Sequence, residues 1–326
     1  MLPRFTYARA TSIDNALAIL DDRPAMIHAG GTDLLGCLRD GIFSADTVVS
    51  LSAIQELDGI RSAADGSIRI GAMTSIADIA TDASIARRYE ALAQAAAVVA
   101  SPQLRNQGTL GGNLCQKPRC WYYRSDLDCL RKGGEKCFAY EGENQYHCIF
   151  GGDLCYIVHP SDIAPALAAL GAVCRISGPA SSRSVAIESF LVPATEDPRR
   201  ETVLEVDEIV TEIVLPPAGS GLRSSYRKVR ERGAWDFAIA GVALAIVFDG
   251  DMVKSADVFL SGAAPIPWRA TGVEAAITGK KLDAATIAKA ASACIEGAEP
   301  LAKNGYKLPL FEGLVTEQLE AIRGKD

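Results

Sequence analysis

The sequence has no excess of basic charge: 33 lysines and arginines stand against 40 aspartates and glutamates, a formal net charge of -7. Neutralising a nucleic-acid backbone needs the opposite balance, so nucleic acid is excluded as a partner. Long hydrophobic runs are missing too. The longest uncharged apolar stretch, Ala238 to Phe248, falls well short of the roughly 20 residues that cross a bilayer as a helix, and no membrane span is expected. The N-terminus, MLPRFTYARATSIDNALAIL, carries acidic residues and lacks an apolar core followed by a small-residue cleavage site. The expectation is a mature cytoplasmic chain, periplasmic only if exported together with a signal-bearing partner. There is no solenoid repeat, low-complexity tract, G-x-S-x-G elbow, H-E-x-x-H pair, G-x-G-x-x-G fingerprint or Walker A lysine loop, which removes the readings that depend on them. The three histidines, His28, His147 and His159, show no ligand spacing and read as satisfied or surface side chains. No acid–base pair emerges, so no residue is assigned a catalytic role.

What is present fits a globular chain of two or three domains: 326 residues, 48% apolar and 22% charged, close to the soluble average. Residues from Met1 to about Ile60 alternate strand and helix signals. Ser12 and Asp14 open an amphipathic helix ending near Leu20, Ala25 to Ile27 reads as a strand, and Thr32 or Asp33 can cap a helix whose Leu34, Leu35 and Leu38 share a face. Gly41 stops it before the β-branched strand Thr47 to Leu51. A hairpin around Asp65-Gly66 follows, then alanine-rich helices between Ser75 and Ala100, and a glycine-rich loop from Arg105 to Asn113. After a cysteine-rich stretch the chain returns to an apolar helix, Asp162 to Leu170, and a strand, Ala172 to Ile176. A Pro/Gly/Ser linker, Leu215 to Gly221, precedes strands near Ser224 to Arg230, Val242 to Phe248 and Val258 to Ser261, then helices to the end.

Two glycine loops carry chemistry: Ala29-Gly30-Gly31-Thr32-Asp33-Leu34, between a strand and a helix, and Gly108-Thr109-Leu110-Gly111-Gly112-Asn113. Without a Cβ the backbone can approach a pyrophosphate closely, and the first loop aims it at a helix N-terminus. Either loop alone also fits an ordinary turn. Together with Phe5-Thr6-Tyr7, Gly71-Ala72-Met73-Thr74-Ser75, Arg105-Asn106-Gln107, and Pro160-Ser161-Asp162 with Pro165-Ala166-Leu167, they make the chain resemble the FAD-binding medium subunit of molybdenum hydroxylases, the xanthine dehydrogenase family. Lys228-Val229-Arg230 and Asp236-Phe237-Ala238 extend a looser likeness toward the C-terminus. The resemblance implies an α+β fold: a two-lobed FAD-binding domain of the vanillyl-alcohol-oxidase (PCMH) type over residues 1–217, and a smaller α+β flavoprotein C-terminal domain over 218–326. It implies that Ala29, Gly30, Gly31, Thr32, Asp33 and Leu34 bind the FAD pyrophosphate and that Thr109 and Gly112 close on it. Asp162 would contact the ribityl or flavin region, and Lys228 would stabilise negative charge on reduced isoalloxazine. By charge pattern alone, Arg227, Lys228, Arg230 and Arg232 read as a solvated strand face.

Nine cysteines form the other conspicuous feature, five of them (Cys120, Cys129, Cys137, Cys148, Cys155) within 36 residues. The odd total and the absence of an export signal favour thiolate ligands over disulfides. Four-cysteine zinc sites use paired knuckles, and only Cys115 and Cys120 approach that spacing. Residues 116 to 155 read as an insertion in a lobe. In order and spacing, Cys120, Cys129, Cys137 and Cys155 resemble the family branch with an additional 4Fe-4S cluster, which includes periplasmic aldehyde oxidoreductase and 4-hydroxybenzoyl-CoA reductase; four thiolates are that cluster's ligand set. In the reductase pattern a cysteine near Cys148 is a ligand and that of Cys129 is absent; Cys129 is chosen because Arg119-Cys120 and the Gly133-Gly134 turn fit the first pattern. Trp121, Tyr122 and Tyr123 are candidate shields or plain core, and Cys37, Cys115, Cys174 and Cys294 read as buried apolar residues.

The function so implied is electron transfer in a heterotrimer. A large molybdopterin subunit would meet substrate, a small subunit with two 2Fe-2S clusters would feed FAD, and an external acceptor would take the electrons, during aldehyde or heterocycle oxidation. The alternatives are a reductase with inward flow from an external donor, and a zinc-binding scaffold.

Overall fold

The computed structural model describes residues 1–22 and 24–324. The N-terminal lobe is a three-stranded parallel sheet in the order Thr6–Arg9, Thr47–Ser50, Ala25–His28. Parallel neighbours need crossovers, and the helices Ile13–Asp22 and Leu34–Arg39 supply them. Ala16, Leu17 and Leu20 point inward from the first helix.

The second lobe is an antiparallel five-stranded sheet, ordered Ile60–Ser62, Ile68–Gly71, Ile209–Leu215, Val173–Ser177, Ser182–Ala186. Ile70 and Cys174 both lie opposite Ile213 under the helices Ile76–Thr81, Glu90–Ala97 and Ile163–Ala169. Sequence reading missed the strands Ser182–Ala186 and Ile209–Leu215. The first is a polar edge whose residues are mostly exposed, so it lacks an apolar alternation.

The C-terminal part is an antiparallel sheet, Leu222–Val229, Ala240–Asp249, Met252–Ser261 and Trp268–Arg269, with the helices Thr271–Ile277, Ala284–Ala293 and Lys307–Arg323. The strand Ala240–Asp249 explains the longest apolar run of the sequence. Its Ala240, Val242, Leu244 and Ile246 pack into the core with those helices, whereas Ala243 and Ala245 join the core of the second lobe. A strand buried on both faces reads as a continuous hydrophobic stretch rather than an alternating one. The fold is therefore mixed α+β, with the C-terminal sheet continuing the core of the second lobe.

Between the helices Leu110–Leu114 and Ile163–Ala169, the only regular element among the described residues is the 3-10 turn Leu130–Lys132. This cysteine-rich segment is pinned to the C-terminal part instead: the Ile149 and Phe150 amides donate to the Ala263 carbonyl, and Phe150 stacks on Trp268 at 4.7 Å. The Lys307 ammonium, buried, donates to the carbonyls of Tyr146, His147 and Gly262. The stretch expected as a glycine-rich loop, Arg105 to Asn113, is mostly two short helices, Pro102–Gln107 and Leu110–Leu114. Ser101 and Thr109 cap them by accepting from the Leu104 and Gly112 amides, which leaves only Gly108 and Thr109 between.

Candidate functional site

A cavity of about 380 Å³ opens between the lobes and the C-terminal sheet. All ten residues expected to hold the flavin line it: Ala29, Gly30, Gly31, Thr32, Asp33, Leu34, Thr109, Gly112, Asp162 and Lys228. The strand Ala25–His28 ends at the first loop and delivers it against the second. A Cβ on Gly30 would stand 2.0 Å from the Gln107 carbonyl oxygen, so the loops meet backbone to backbone. Gly31 has φ +70°, and a Cβ there would lie 2.5 Å from His28 Nε2. Both positions accept glycine alone, and a cradle of close backbone suits a pyrophosphate.

Asp33 occupies the N-cap position of the helix Leu34–Arg39 but makes no side-chain cap bond. Its carboxylate accepts from Arg119 Nη1 at 2.5 Å, from Arg124 Nη2 at 2.8 Å and from the Lys117 amide at 2.7 Å. Burial pushes this carboxyl up, but the Arg119 and Arg124 charges prevail and hold it below the usual aspartate range.

Asp162 and Lys228 face each other across the cavity wall. Lys228 Nζ donates to Asp162 Oδ2 at 2.7 Å and the Tyr226 hydroxyl to Oδ1 at 2.7 Å. The Lys228 side chain is 1% exposed, which overturns the reading of residues 227–232 as a uniformly solvated face. Alternation along Leu222–Val229 turns Arg227 outward, where it meets Glu317, and Lys228 inward. Burial pushes the Asp162 carboxyl up against the pull of Lys228. Removing one partner of such a pair leaves an uncompensated charge, so Lys228→Met is expected to cost about 3–5 kcal/mol in urea unfolding, and adding Asp162→Asn to recover part of that loss. Equal losses in the single and double variants would refute the pairing.

Sequence reasoning missed the wall residues Leu204, Glu205, Val206, Glu208 and Trp235, and gave no role to Asp236 and Phe237, which also line the cavity. They lie in irregular loops without periodicity. Trp235 and Ala100 take left-handed φ values of 61° and 42°, and the Trp235 amide donates to the Ala100 carbonyl at 2.9 Å. Each such residue stores about 1–3 kcal/mol of strain at the cavity. Cys115, expected as plain core, also lines the cavity.

A second, small cavity lies in the cysteine segment. Cys120, Cys129, Cys137 and Cys155 all line it, together with Tyr122, Tyr123 and Arg131, whereas Cys148 and Trp121 do not. All nine cysteines are free thiols. A hydrogen bond from the Cys155 thiol pulls Cys137 down to about 7, and the same contact pushes Cys155 up. Burial pushes Cys120 up to about 11. The Arg131 side chain is 2% exposed and is held by Glu201 at 2.5 Å. Among the described residues, no three or more His, Cys, Asp or Glu side chains are arranged to hold a single metal ion. A 4Fe-4S cluster spreads its four thiolates around several irons instead of converging them on one point. The four thiols in the wall of this cavity match that donor set in kind and number, and His147 shares the wall with them. Of the histidines, none is on the surface: His28 is half-buried, and His147 and His159 are buried, the pKa of the last two pulled down to about 4 by that burial, and one ring nitrogen of each of the three has no hydrogen-bond partner among the described residues. His147 Nε2 lies 3.3 Å from Cys120 Sγ.

The family described as the FAD binding domain in molybdopterin dehydrogenase matches residues 3–218, and the CO dehydrogenase flavoprotein C-terminal domain matches residues 224–322. The chain belongs to the FAD-binding medium subunits of the molybdenum hydroxylase family. It is 34% identical over 327 residues to the aldehyde oxidoreductase FAD-binding subunit PaoB of Escherichia coli (strain K12), covering 98% of this chain and 99% of that one. It is 28% identical to the carbon monoxide dehydrogenase medium chain of Hydrogenophaga pseudoflava, over 91% of this chain and 88% of that one. A solved structure of carbon monoxide dehydrogenase from the same organism superposes with a TM-score of 0.78 at 27% identity, over 99% and 98% of the two chains. These relatives are oxidoreductases or their subunits, and the family is the one expected from the two glycine loops taken together with the motifs around them. No helix among the described residues is long and apolar enough to cross a membrane.

Proposed function

We propose that this chain is the FAD- and 4Fe-4S-carrying electron-transfer subunit of a heterotrimeric molybdenum hydroxylase. A large subunit with molybdopterin oxidises an aldehyde or heterocycle, a small subunit with 2Fe-2S clusters feeds this chain, and an external acceptor takes the electrons. The observation that carries the reading is the pair of neighbouring cavities, one walled by glycine loops and a buried Lys–Asp pair, the other by four free thiols. The family and the likeness to PaoB support the flavin and an aldehyde-type complex.

In this reading Gly30, Gly31, Thr109 and Gly112 bring backbone against the pyrophosphate, and Lys228, oriented by Asp162, presents its cation to the flavin ring. The flavin supplies exchange between two-electron and one-electron chemistry. Cys120, Cys129, Cys137 and Cys155 hold the cluster, Arg131 offsets its negative charge, and Tyr122 and Tyr123 help exclude water. Cys148, the ligand of the inward-flowing reductase pattern, lies outside the lining of the cavity, which favours the outward direction.

Acid extraction of the purified complex should release about one FAD per copy of this chain, and the complex should hold about four irons and four acid-labile sulfides beyond those that the small subunit's 2Fe-2S clusters account for. FMN, no flavin, or stoichiometric zinc without sulfide would refute the assignment. Reduced with dithionite, the isolated chain should pass electrons to an artificial dye yet oxidise no aldehyde; turnover by the lone chain would make it a self-sufficient flavin oxidase.

A further inference from the structure

We propose that Asp33 is a positioning residue that couples flavin binding to the filling of the four-thiol cavity, and not itself a contact to the cofactor. The inference rests on the reading of the two cavities as flavin and cluster sites.

Asp33 stands in the first glycine loop and lines the flavin cavity. A carboxylate there opposes a pyrophosphate unless its charge is offset. The groups that offset it all come from the cysteine segment: the guanidinium groups of Arg119 and Arg124 on Oδ1, and the Lys117 amide on Oδ2. These donors flank Cys120, whose thiol lines the second cavity. Arg124 also donates to Cys37 Sγ at 2.8 Å, on the helix that the first loop opens, and to the Pro118 carbonyl at 2.7 Å. Arg119 lies 5.1 Å over the ring of Phe237, another wall residue of the flavin cavity.

A second carboxylate also binds cations of the cysteine segment. Glu201 accepts from Lys117 and from Arg131. Arg131 lines the thiol cavity, while Leu204, just beyond Glu201, lines the flavin cavity. The segment that presents these cations holds only one 3-10 turn, and its far end, at Ile149 and Phe150, is the part pinned to the C-terminal sheet. Ligation of the four thiols would tie the near end, around Cys120, Cys129 and Cys137, to Cys155. The ordered segment then presents Arg119 and Arg124 to Asp33, offsets the carboxylate and sets the first loop for the pyrophosphate. By linkage, flavin must strengthen retention of the cluster by the same factor.

The test uses the complex stripped of flavin and titrated with FAD, followed by flavin fluorescence, before and after a chelator removes this chain's iron, with the small subunit's 2Fe-2S clusters followed separately by their electron paramagnetic resonance signal and required to stay intact. The wild type is expected to bind FAD about ten- to a hundredfold more weakly once iron is removed. In Asp33→Asn that ratio should fall close to one, and Asp33→Glu should restore part of it. Loss of general stability would weaken binding in both states and leave the ratio unchanged, so the ratio isolates the coupling. Arg119→Gln, made from the other side of the contact, should abolish the ratio too and serves if Asp33→Asn does not fold. An iron-containing wild type with one FAD affinity in both states, or variants that keep the wild-type ratio, would overturn the proposal while leaving the cofactor assignments intact. A complex with no iron beyond its 2Fe-2S clusters would remove the cluster reading and this inference with it; one that binds no FAD would remove the flavin reading.

Discussion

Gly30→Val is expected to yield a folded chain that retains iron but no flavin. The reason is local and steric. An added Cβ would meet the Gln107 carbonyl oxygen at 2.0 Å and its carbon at 2.9 Å, and these are backbone atoms that cannot rotate away as a side chain could. Overpacking of this kind costs about 1–3 kcal/mol even where neighbours can shift. Here the relief available is to separate the two glycine loops, which removes one half of the pyrophosphate cradle from the other. Gly31→Ala should have a smaller effect, because its nearest neighbour is the His28 ring, although φ of +70° still disfavours a side chain. Gly36→Ala, with nothing within 4 Å of its added Cβ, is the control and should retain FAD. Acid-released flavin and iron, measured on the same preparations, decide the matter. Full flavin in Gly30→Val would mean that the cradle lies elsewhere.

The glycine loops were legible because close backbone contact excludes every other residue type, and that exclusion is written in the sequence itself. The gathering of Cys120, Cys129, Cys137 and Cys155 around one small cavity was foreshadowed by their density in the sequence, since thiols this close together have few uses outside ligation or disulfides. Lys228 was only half legible. Four basic residues between Arg227 and Arg232 look alike as charges, and what separates them is strand alternation together with an aspartate sixty-six positions earlier in the chain. Asp33 was misread in kind. An aspartate before a helix predicts a cap, but two guanidinium groups more than eighty residues away bind the carboxylate instead. Long-range charge pairs leave no local signature. The same limit applies to the walls at Leu204 to Glu208 and Trp235 to Phe237, which are irregular and have no period to read. The run Ala238 to Phe248 signalled burial correctly, but its division between two cores follows from the packing of the sheets.

Alanine in place of Cys120, Cys129, Cys137 or Cys155 is expected to take the chain from about four irons to few or none. Cys148→Ala should keep its iron. The distinction follows from the lining of the small cavity, which includes the first four thiols and omits the fifth. The Cys148 sulfur instead lies against Gly152, 2.7 Å from where a Cβ would be, and its amide is tied to the Tyr156 carbonyl at 3.0 Å. Burial pushes its thiol up to about 12, as for a small apolar residue in a core. Its replacement therefore costs only the packing of one sulfur, on the order of 1 kcal/mol, read as a small shift in the melting temperature. Iron and sulfide counts across the five variants separate three outcomes. Loss with Cys129→Ala and retention with Cys148→Ala supports the assignment. The reverse pattern would transfer the fourth ligand to Cys148 and favour the reductase-like direction of electron flow. Zinc in place of iron in the parent protein would leave the four thiols as a structural clasp, and the electrons would then have to reach the flavin through the partner subunits alone.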